Sequence, residues 1–333
     1  SVRYGPSCPG PPNPKRRIKL IRALAPKLED FYPEIIYKNL VNDIVNKYKS
    51  DVIFIPWCEW LTALFSDARV LKFAYYGNPD AKHAFAMNNF NYRNGCIGFL
   101  KYFIQKRVFK KLEKFHLSIM RKYEMVGDVA ANDAQYYVMQ GHKNAFYIQN
   151  TWIDRFSGKY DEKKSAVPII IGSIGKLNGT ANTHGLEILC KELIPALRNV
   201  MKGKQYEVHI LGSGSSHPAI EKKLNVPEIK IRGFVDDIDK EMLRSAVFLC
   251  LNNGSEYKVG HTRYLHAWSL KCCVVAHEDS RLSMPEIMHG ENALLGKDSE
   301  EIAKLISQAI ADPQLRYRIG EGGYLTFKKY FTA

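Results

Sequence analysis

Hydrophobic residues occur in two alternating patterns along this chain. Short apolar runs at 51–56, 70–76 and 167–172 predict buried strands, whereas apolar residues spaced three or four apart at 99–123 and 300–311 predict amphipathic helices. Strands that alternate with helices are typical of parallel sheets covered on both faces. The pattern therefore predicts an α/β protein.

The alternation starts twice. A first series runs from a helix at 18–24 to a strand at 146–150, and a second runs from the strand at 167–172 to a terminal helix at 313–331. The charged segment between them has no apolar pattern. We therefore predict two Rossmann-like, doubly wound domains at 1–157 and 167–333, joined by a linker at 158–166. In the first series, the expected strand between the first helix and residue 51 is not found.

Glycines and polar residues cluster where the predicted strands of the second series end. The most informative stretch is 252–276, which predicts a polar loop, one helix and a short buried strand. The start of a helix attracts anions because its backbone N–H groups are unpaired and its dipole is positive there. This loop also carries Lys258, His261 and Arg263. The combination suggests a diphosphate site, beyond the carboxyl ends of parallel strands where ligands commonly bind.

Composition excludes several classes of protein. The longest apolar runs are far shorter than the roughly 20 residues of a membrane-spanning helix, and the Pro-rich start lacks the apolar core of a signal peptide. The seven cysteines are irregularly spaced and form no zinc-ligand pattern. We therefore expect a cytoplasmic protein without a metal site.

Positive charge is concentrated in the first half. Residues 1–160 contain 25 Lys or Arg against 13 Asp or Glu, while residues 161–333 contain 23 against 21. Much of the excess lies at 101–122, a basic helix interleaved with aromatic residues. Such a helix either lies on an anionic membrane surface or packs its aromatic face inward with its charges in water. Nucleic acid is ranked last as a partner because no recognised nucleic-acid module is present.

Four segments of the second half carry a resemblance to a known family. They are, in order, LGSG at 211–214, IRGFVD at 231–236, PEIMHGENALL at 285–295 and DPQLRYRIGE at 312–321. Across residues 167–325 the chain resembles the retaining glycosyltransferases of the GT-B fold. The resemblance implies two Rossmann-like domains facing across a cleft, with the C-terminal helix crossing back. It also implies sugar transfer from a nucleotide-diphosphate-sugar donor to a glycan or lipid-linked acceptor, with no metal or other cofactor.

The sequence departs from the family at charged positions. Lys258 and His266 stand where the family has two glutamates, and Glu256 is out of register. Ser173 and His184 replace the family's Arg and Lys pair, so Lys176 is the candidate substitute. These departures leave the contacts to the ribose and diphosphate open.

The candidate site follows from the loops and the resemblance together. The predicted catalytic residues are Asp80, His83, Lys176 and Arg263. The predicted donor-binding residues are Gly10, Gly172, Lys176, His184, Gly212, Gly214, Gly233, Phe234, Val235, Glu256, Lys258, Gly260, His261, Thr262, Arg263 and His266. Among these, His184 is interpreted either as a cap for a helix starting at Gly185 or as a phosphate ligand.

Three other functions remain open. The missing glutamates at 258 and 266 favour a non-catalytic binding protein that kept the fold. A basic nucleic-acid-binding protein would show binding that depends steeply on salt. An inverting enzyme would require a general base in the first domain.

Overall fold

The first domain is built on a small parallel sheet. The computed structural model of the chain describes residues 26–76, 78–79, 81–156, 166–260 and 262–332. The sheet has the order β1-β2-β3-β4, where the strands are β1 Val52–Pro56, β2 Leu71–Tyr76, β3 Met125–Asp128 and β4 Ala145–Tyr147. All three neighbouring pairs are parallel, so each connection crosses over through helical segments.

Helices cover one face of this sheet. In chain order they are α1 Leu28–Phe31, α2 Lys38–Tyr48, α3 Glu59–Phe65, α4 Lys82–Arg93, α5 Phe99–Met120 and α6 Ala131–Met139, with a 3₁₀ turn at Pro33–Tyr37 before α2. Ala74 and Tyr76 of β2 pack against Ile119 and Met120 of α5 in the core beneath this face. On the opposite face, Phe54 and Phe73 meet at 5.0 Å between ring centroids, and Phe54 remains half exposed.

The second domain has a doubly wound sheet. Its six parallel strands have the order β7-β6-β5-β8-β9-β10, and they are β5 Ile169–Ser173, β6 Glu207–Leu211, β7 Ile229–Gly233, β8 Val247–Cys250, β9 Val274–His277 and β10 Leu294–Gly296. The strand order reverses between β5 and β8. In open α/β sheets this switch point opens a crevice at the carboxyl ends of the strands, where ligands bind.

Helices lie on both faces of the second sheet. They are α7 Thr180–Ile188, a π turn at Leu189–Leu193, α8 Ile194–Val200, α9 Pro218–Glu221, α10 Ile238–Leu243, α11 Thr262–Ser269, α12 Ser280–Ser283, α13 Ser299–Ala311 and α14 Pro313–Tyr330. Asp298 and Asp312 cap α13 and α14 by accepting hydrogen bonds from backbone N–H groups of the first turn. Separate hydrophobic clusters lie above and below the sheet.

Most predicted elements are confirmed, with shifts at their ends. The helix predicted from Gly185 starts at Thr180 instead, because its first turn is polar and the apolar spacing that predicted it begins only at Leu186. His184 is therefore inside the helix, and its prediction as a cap is wrong. The predicted helix at 18–24 and almost all of the predicted linker lie outside the described residues.

The C-terminal helix reaches the segment that follows β4. The N–H of Trp152 donates to the carbonyl of Phe331 at 2.7 Å. Asp154 accepts hydrogen bonds from Tyr324 at 2.9 Å and Lys328 at 3.2 Å. Within the described ranges, no helix is long and apolar enough to cross a membrane.

Candidate active site

A cleft of about 850 Å³ opens at the switch point of the second sheet. Its floor consists of the loops after β5, β6 and β7 and the first turns of α7 and α11. Asn78, His83 and Trp152 contribute from the N-terminal side. Two helix N-termini and residues of both domains therefore surround one space.

The loop after β5 is held by a buried asparagine. Asn182, in the first turn of α7, accepts a hydrogen bond from Ser173 Oγ at 2.8 Å. Its amide nitrogen donates to the carbonyls of Ile174 at 3.0 Å and Lys176 at 2.9 Å. These bonds fix the backbone that presents the exposed Lys176 to the cleft. Sequence reasoning missed Asn182, although an amide in the first turn after a glycine-rich loop is a signal for such a role.

Gly212 brings the loops after β5 and β6 together. Its N–H donates to the carbonyl of Gly233 at 2.7 Å, and a Cβ at this position would collide with the carbonyl of Gly175. Its φ of +148° also suits glycine. Glycine is needed here because two backbones approach closely beneath the cleft.

Arg263 is a partly buried cation on the cleft wall. Burial lowers the pKa of its guanidinium. Among the residues that the structure describes, no carboxylate pairs with it, and its titratable neighbours Cys250 and Tyr264 are uncharged because burial raises the pKa of both. Guanidinium groups suit bidentate contacts to phosphate, so an anion in the cleft would supply the missing charge.

His266 forms a second polar group on the wall, one turn further along α11. Its Nε2 lies 2.6 Å from Asp239 Oδ1, and Arg155 donates to the other oxygen of Asp239 at 2.9 Å. Burial alone would raise the pKa of Asp239, but these hydrogen bonds lower it. The sequence singled out His266 but not its partner, because Asp239 lies 27 positions away.

An apolar rim flanks the polar wall. Phe234 and Val235, both predicted donor-binding residues, line the cleft directly after β7. Phe234 is 78% exposed. Asp236, which was not predicted, is the sole carboxylate among the described lining residues.

The charged side chains of the loop at 252–260 form contacts outside the cleft. Glu256 accepts hydrogen bonds from Asn89 at 2.7 Å and Arg93 at 3.3 Å. Lys258 pairs with Asp279 at 2.9 Å, and its carbonyl accepts a hydrogen bond from Lys82. The side chains of Glu256 and Lys258 do not line the cleft, because these contacts hold them against Asn89, Arg93 and Asp279 instead.

Other predicted donor residues also lie away from the cleft lining. His184 is buried between the rings of Phe90 and Tyr257, and burial lowers its pKa. Gly172 is a packing glycine, since a Cβ there would lie 2.7 Å from Val208 Cγ1.

The remaining predictions divide by location. Gly214 and Gly233 adopt positive φ beside the cleft without lining it, and Gly260 lines a neighbouring cavity together with Thr262 and Arg263. His83, Lys176, Gly212 and Thr262 do line the cleft. Gly10, Asp80 and His261 lie outside the described residues. Within the described part of the chain, no cluster of three or more His, Cys, Asp or Glu is placed to hold a metal ion.

Comparisons with known proteins agree with this architecture. Residues 168–312 match the family model described as "Glycosyl transferases group 1", while a search of curated proteins gives no match. HepE from Anabaena, solved with UDP and glucose, is 14% identical with a TM-score of 0.59, over 88% of this chain and 77% of that chain. Sucrose-phosphate synthase from Thermosynechococcus elongatus is 14% identical with a TM-score of 0.61, over 92% and 75%.

A third solved structure has the same fold at lower identity. The α,α-trehalose 6-phosphate synthase from Burkholderia multivorans is 10% identical with a TM-score of 0.61, over 92% of this chain and 74% of that chain. At such identities the likeness establishes the fold alone. The chain therefore has the GT-B fold of these structures, and its residues 168–312 match the group 1 glycosyltransferase family.

Proposed function

We propose that the protein transfers a sugar from a nucleoside-diphosphate-sugar to a hydroxyl of a glycan or lipid-linked acceptor, with retention and without a metal ion. The family match and the cleft at the switch point support a nucleotide-sugar donor. The HepE structures of similar fold contain UDP, alone or with glucose, or UDP-glucose.

The partly buried, unpaired Arg263 is the observation that carries the proposal. It stands at the first turn of α11, and Lys176 stands just before α7. Two helix N-termini and two cations are then available to one anionic group in the cleft. This arrangement suits a diphosphate. The same groups would stabilise the charge that develops on the leaving diphosphate, in the role otherwise filled by a metal.

The reaction breaks the bond between the anomeric carbon and the β-phosphate oxygen, and the electron pair leaves with the nucleoside diphosphate. The acceptor oxygen forms the new bond to the anomeric carbon, and its proton passes to the leaving diphosphate. The single carboxylate in the described cleft lining does not provide the carboxylate pair of glycoside hydrolases. His83, and Asp80 by prediction, would contact the sugar or acceptor from the first domain.

A calorimetric titration with UDP, ADP, GDP and their glucose conjugates tests the donor site. We expect the wild type to bind one donor, and Arg263→Met to weaken that binding roughly tenfold or more, the scale of one charge-assisted contact. Methionine fills a similar volume, so the fold should persist. Arg281→Met is the matched control, because Arg281 is exposed and pairs with Glu278 away from the cleft.

Two outcomes would contradict the donor site: no binding by the wild type, or equal affinity in Arg263→Met. Activity that survives a chelator would support metal independence. NMR of the product anomer distinguishes retention from inversion.

We also propose an acceptor presented at an anionic membrane surface. Along α5 the cations Lys101, Arg107, Lys110, Lys111 and Lys114 are all exposed, and none is ion-paired to a described carboxylate. Glu113, the sole acid of α5, is bound by the hydroxyl of Tyr136 at 2.8 Å. Near the start of the helix, Leu100 and Phe103 are exposed. Exposed apolar residues beside unpaired cations are typical of helices at anionic interfaces.

A further inference from the structure

A second, smaller cavity, which we call the inner cavity, adjoins the cleft. It measures about 240 Å³ and lies at the carboxyl ends of the first domain's strands, where Trp57 follows β1, Val129 follows β3 and Asn150 follows β4. Thr262 and Arg263 of α11 line both this inner cavity and the cleft. A group in the inner cavity is therefore separated from one in the cleft by the side chains of the same helix turn.

Trp57 is held at the inner cavity in an unusual backbone conformation. Its φ is +52°, in the left-handed region that bulky residues rarely adopt. Its N–H donates to the carbonyl of Tyr75 at 2.9 Å, and the two rings meet edge to face at 5.8 Å between centroids. Trp57 is still 52% exposed. The fold thus accepts local strain and leaves a large aromatic ring open, a combination that tends to occur at binding sites.

Polar groups complete the lining. The side-chain amide of Asn150 has no hydrogen-bond partner among the described residues, so its donors and acceptor are available. Tyr147 donates its hydroxyl to Glu286 at 3.0 Å, which fixes the position of its ring. Carboxylates are missing from the described lining. Aromatic walls with a few convergent polar groups are typical of small-molecule sites, and this volume lies below the roughly 300–1,000 Å³ of sites for larger ligands.

We propose that the inner cavity binds one pyranose ring of the acceptor, against the indole of Trp57 and hydrogen-bonded to Asn150. A pyranoside has an apolar C–H face for the aromatic ring and hydroxyls for the amide. Its position beside Thr262 and Arg263 places an acceptor hydroxyl next to the cleft where the donor sugar would lie. This inference rests on the proposed transferase function and assigns its acceptor to the class of saccharides with a terminal pyranoside.

The experiment compares glycoside binding with nucleotide binding in the same protein. Saturation-transfer NMR would measure methyl glucoside, methyl galactoside and methyl N-acetylglucosaminide, each with a saturating nucleoside diphosphate. Trp57→Gly removes the ring and suits the positive φ, so the variant should fold. Trp57→Tyr keeps an aromatic ring, and Tyr317→Ala removes a similarly exposed ring near the start of α14, at a residue that does not line the inner cavity.

We expect one glycoside to bind the wild type, and Trp57→Gly to weaken it roughly five- to tenfold, the scale of one aromatic contact. Trp57→Tyr should retain most of the affinity, and Tyr317→Ala should retain all of it. Nucleoside diphosphate affinity should stay within about twofold in every variant, because Trp57 does not line the cleft.

Binding of the nucleotide without binding of any glycoside would overturn the acceptor site and leave the donor site intact. Equal glycoside affinity in wild type and Trp57→Gly would also overturn it. Failure of the wild type to bind any nucleoside diphosphate would instead remove the proposed transferase function, and the acceptor site with it.

Discussion

Gly212 and Gly214 are two residues apart, but the space around them differs. A Cβ at Gly212 would collide with the backbone of Gly175, whereas a Cβ at Gly214 would have no heavy atom within 4 Å. Both residues have positive φ. The sequence pattern G-S-G predicted two equivalent glycines, but only the packed loops reveal which one is needed for a close approach.

This difference predicts unequal costs for alanine. Gly212→Ala should reduce the free energy of unfolding by about 2–4 kcal/mol, because backbone strain is added to a collision that backbone atoms cannot avoid. Gly214→Ala should cost about 1 kcal/mol, the penalty of a left-handed backbone alone. Urea denaturation measures both values. Equal losses would contradict the interpretation of Gly212.

At the scale of elements, α4 of the first domain binds α7 of the second through one carboxylate. Glu187 accepts hydrogen bonds from Arg93 at 2.9 Å and Asn94 at 3.0 Å, and Lys191 of the same helical segment lies at 2.5 Å. Burial alone would raise the pKa of Glu187, but these bonds lower it from 4.5 to about 2. The contact between the domains therefore depends on an ionised side chain.

The lowered pKa predicts how acid affects stability. The contribution of Glu187 is fully present above pH 4.5, the pKa expected when unfolded, and is lost as pH falls towards 2. Glu187→Gln should reduce the free energy of unfolding by about 1–3 kcal/mol at pH 6, and the difference should shrink at pH 3. Urea titrations at both values test this, with Glu300→Gln on α13 as a control. A difference that does not vary with pH would argue against the ionised contact.

The strands and helices of the second domain were predictable because the spacing of apolar residues within each segment indicates its secondary structure. The apolar run at 167–172 becomes β5, and the spacing at 300–311 becomes α13. Ends of elements were less predictable where a polar turn such as 180–183 starts a helix. The candidate site also has a predictable part and an unpredictable part. The role of Arg263 could be predicted from its position after a polar loop. The contact of Glu256 with Asn89 could not, because the two residues are 167 positions apart. Such tertiary contacts leave no signal in local sequence.

At the scale of the whole molecule, the net charge of +14 is concentrated in the first half, and α5 carries its densest exposed part. The wild type should therefore co-sediment with phosphatidylglycerol vesicles at low salt. Lys110→Glu with Lys111→Glu should weaken this association about tenfold or more, since each basic residue near an anionic surface contributes about 1 kcal/mol. Higher salt should release the protein, because screening weakens the attraction.

The matched control is Lys202→Glu with Lys204→Glu, which makes the same charge change at exposed positions of the second domain. Equal loss of vesicle binding in both double variants would indicate a general charge effect and contradict a surface on α5. No vesicle binding, combined with tight oligonucleotide binding that Lys110→Glu with Lys111→Glu removes, would favour nucleic acid as the partner.

The contacts of Trp152 have a mechanical consequence. Residues 152–156 are attached to the second domain through Phe331, Tyr324 and Asp239, whereas the N–H of Ile148 still bonds to Asp128 of the first domain. If the domains rotate as the substrates enter and leave, the pivot lies at 149–151. Asn150 sits at the centre of that pivot. A sugar held by its amide would therefore lie close to the axis of rotation, and its distance from the donor would change less than that of a sugar held elsewhere in the first domain.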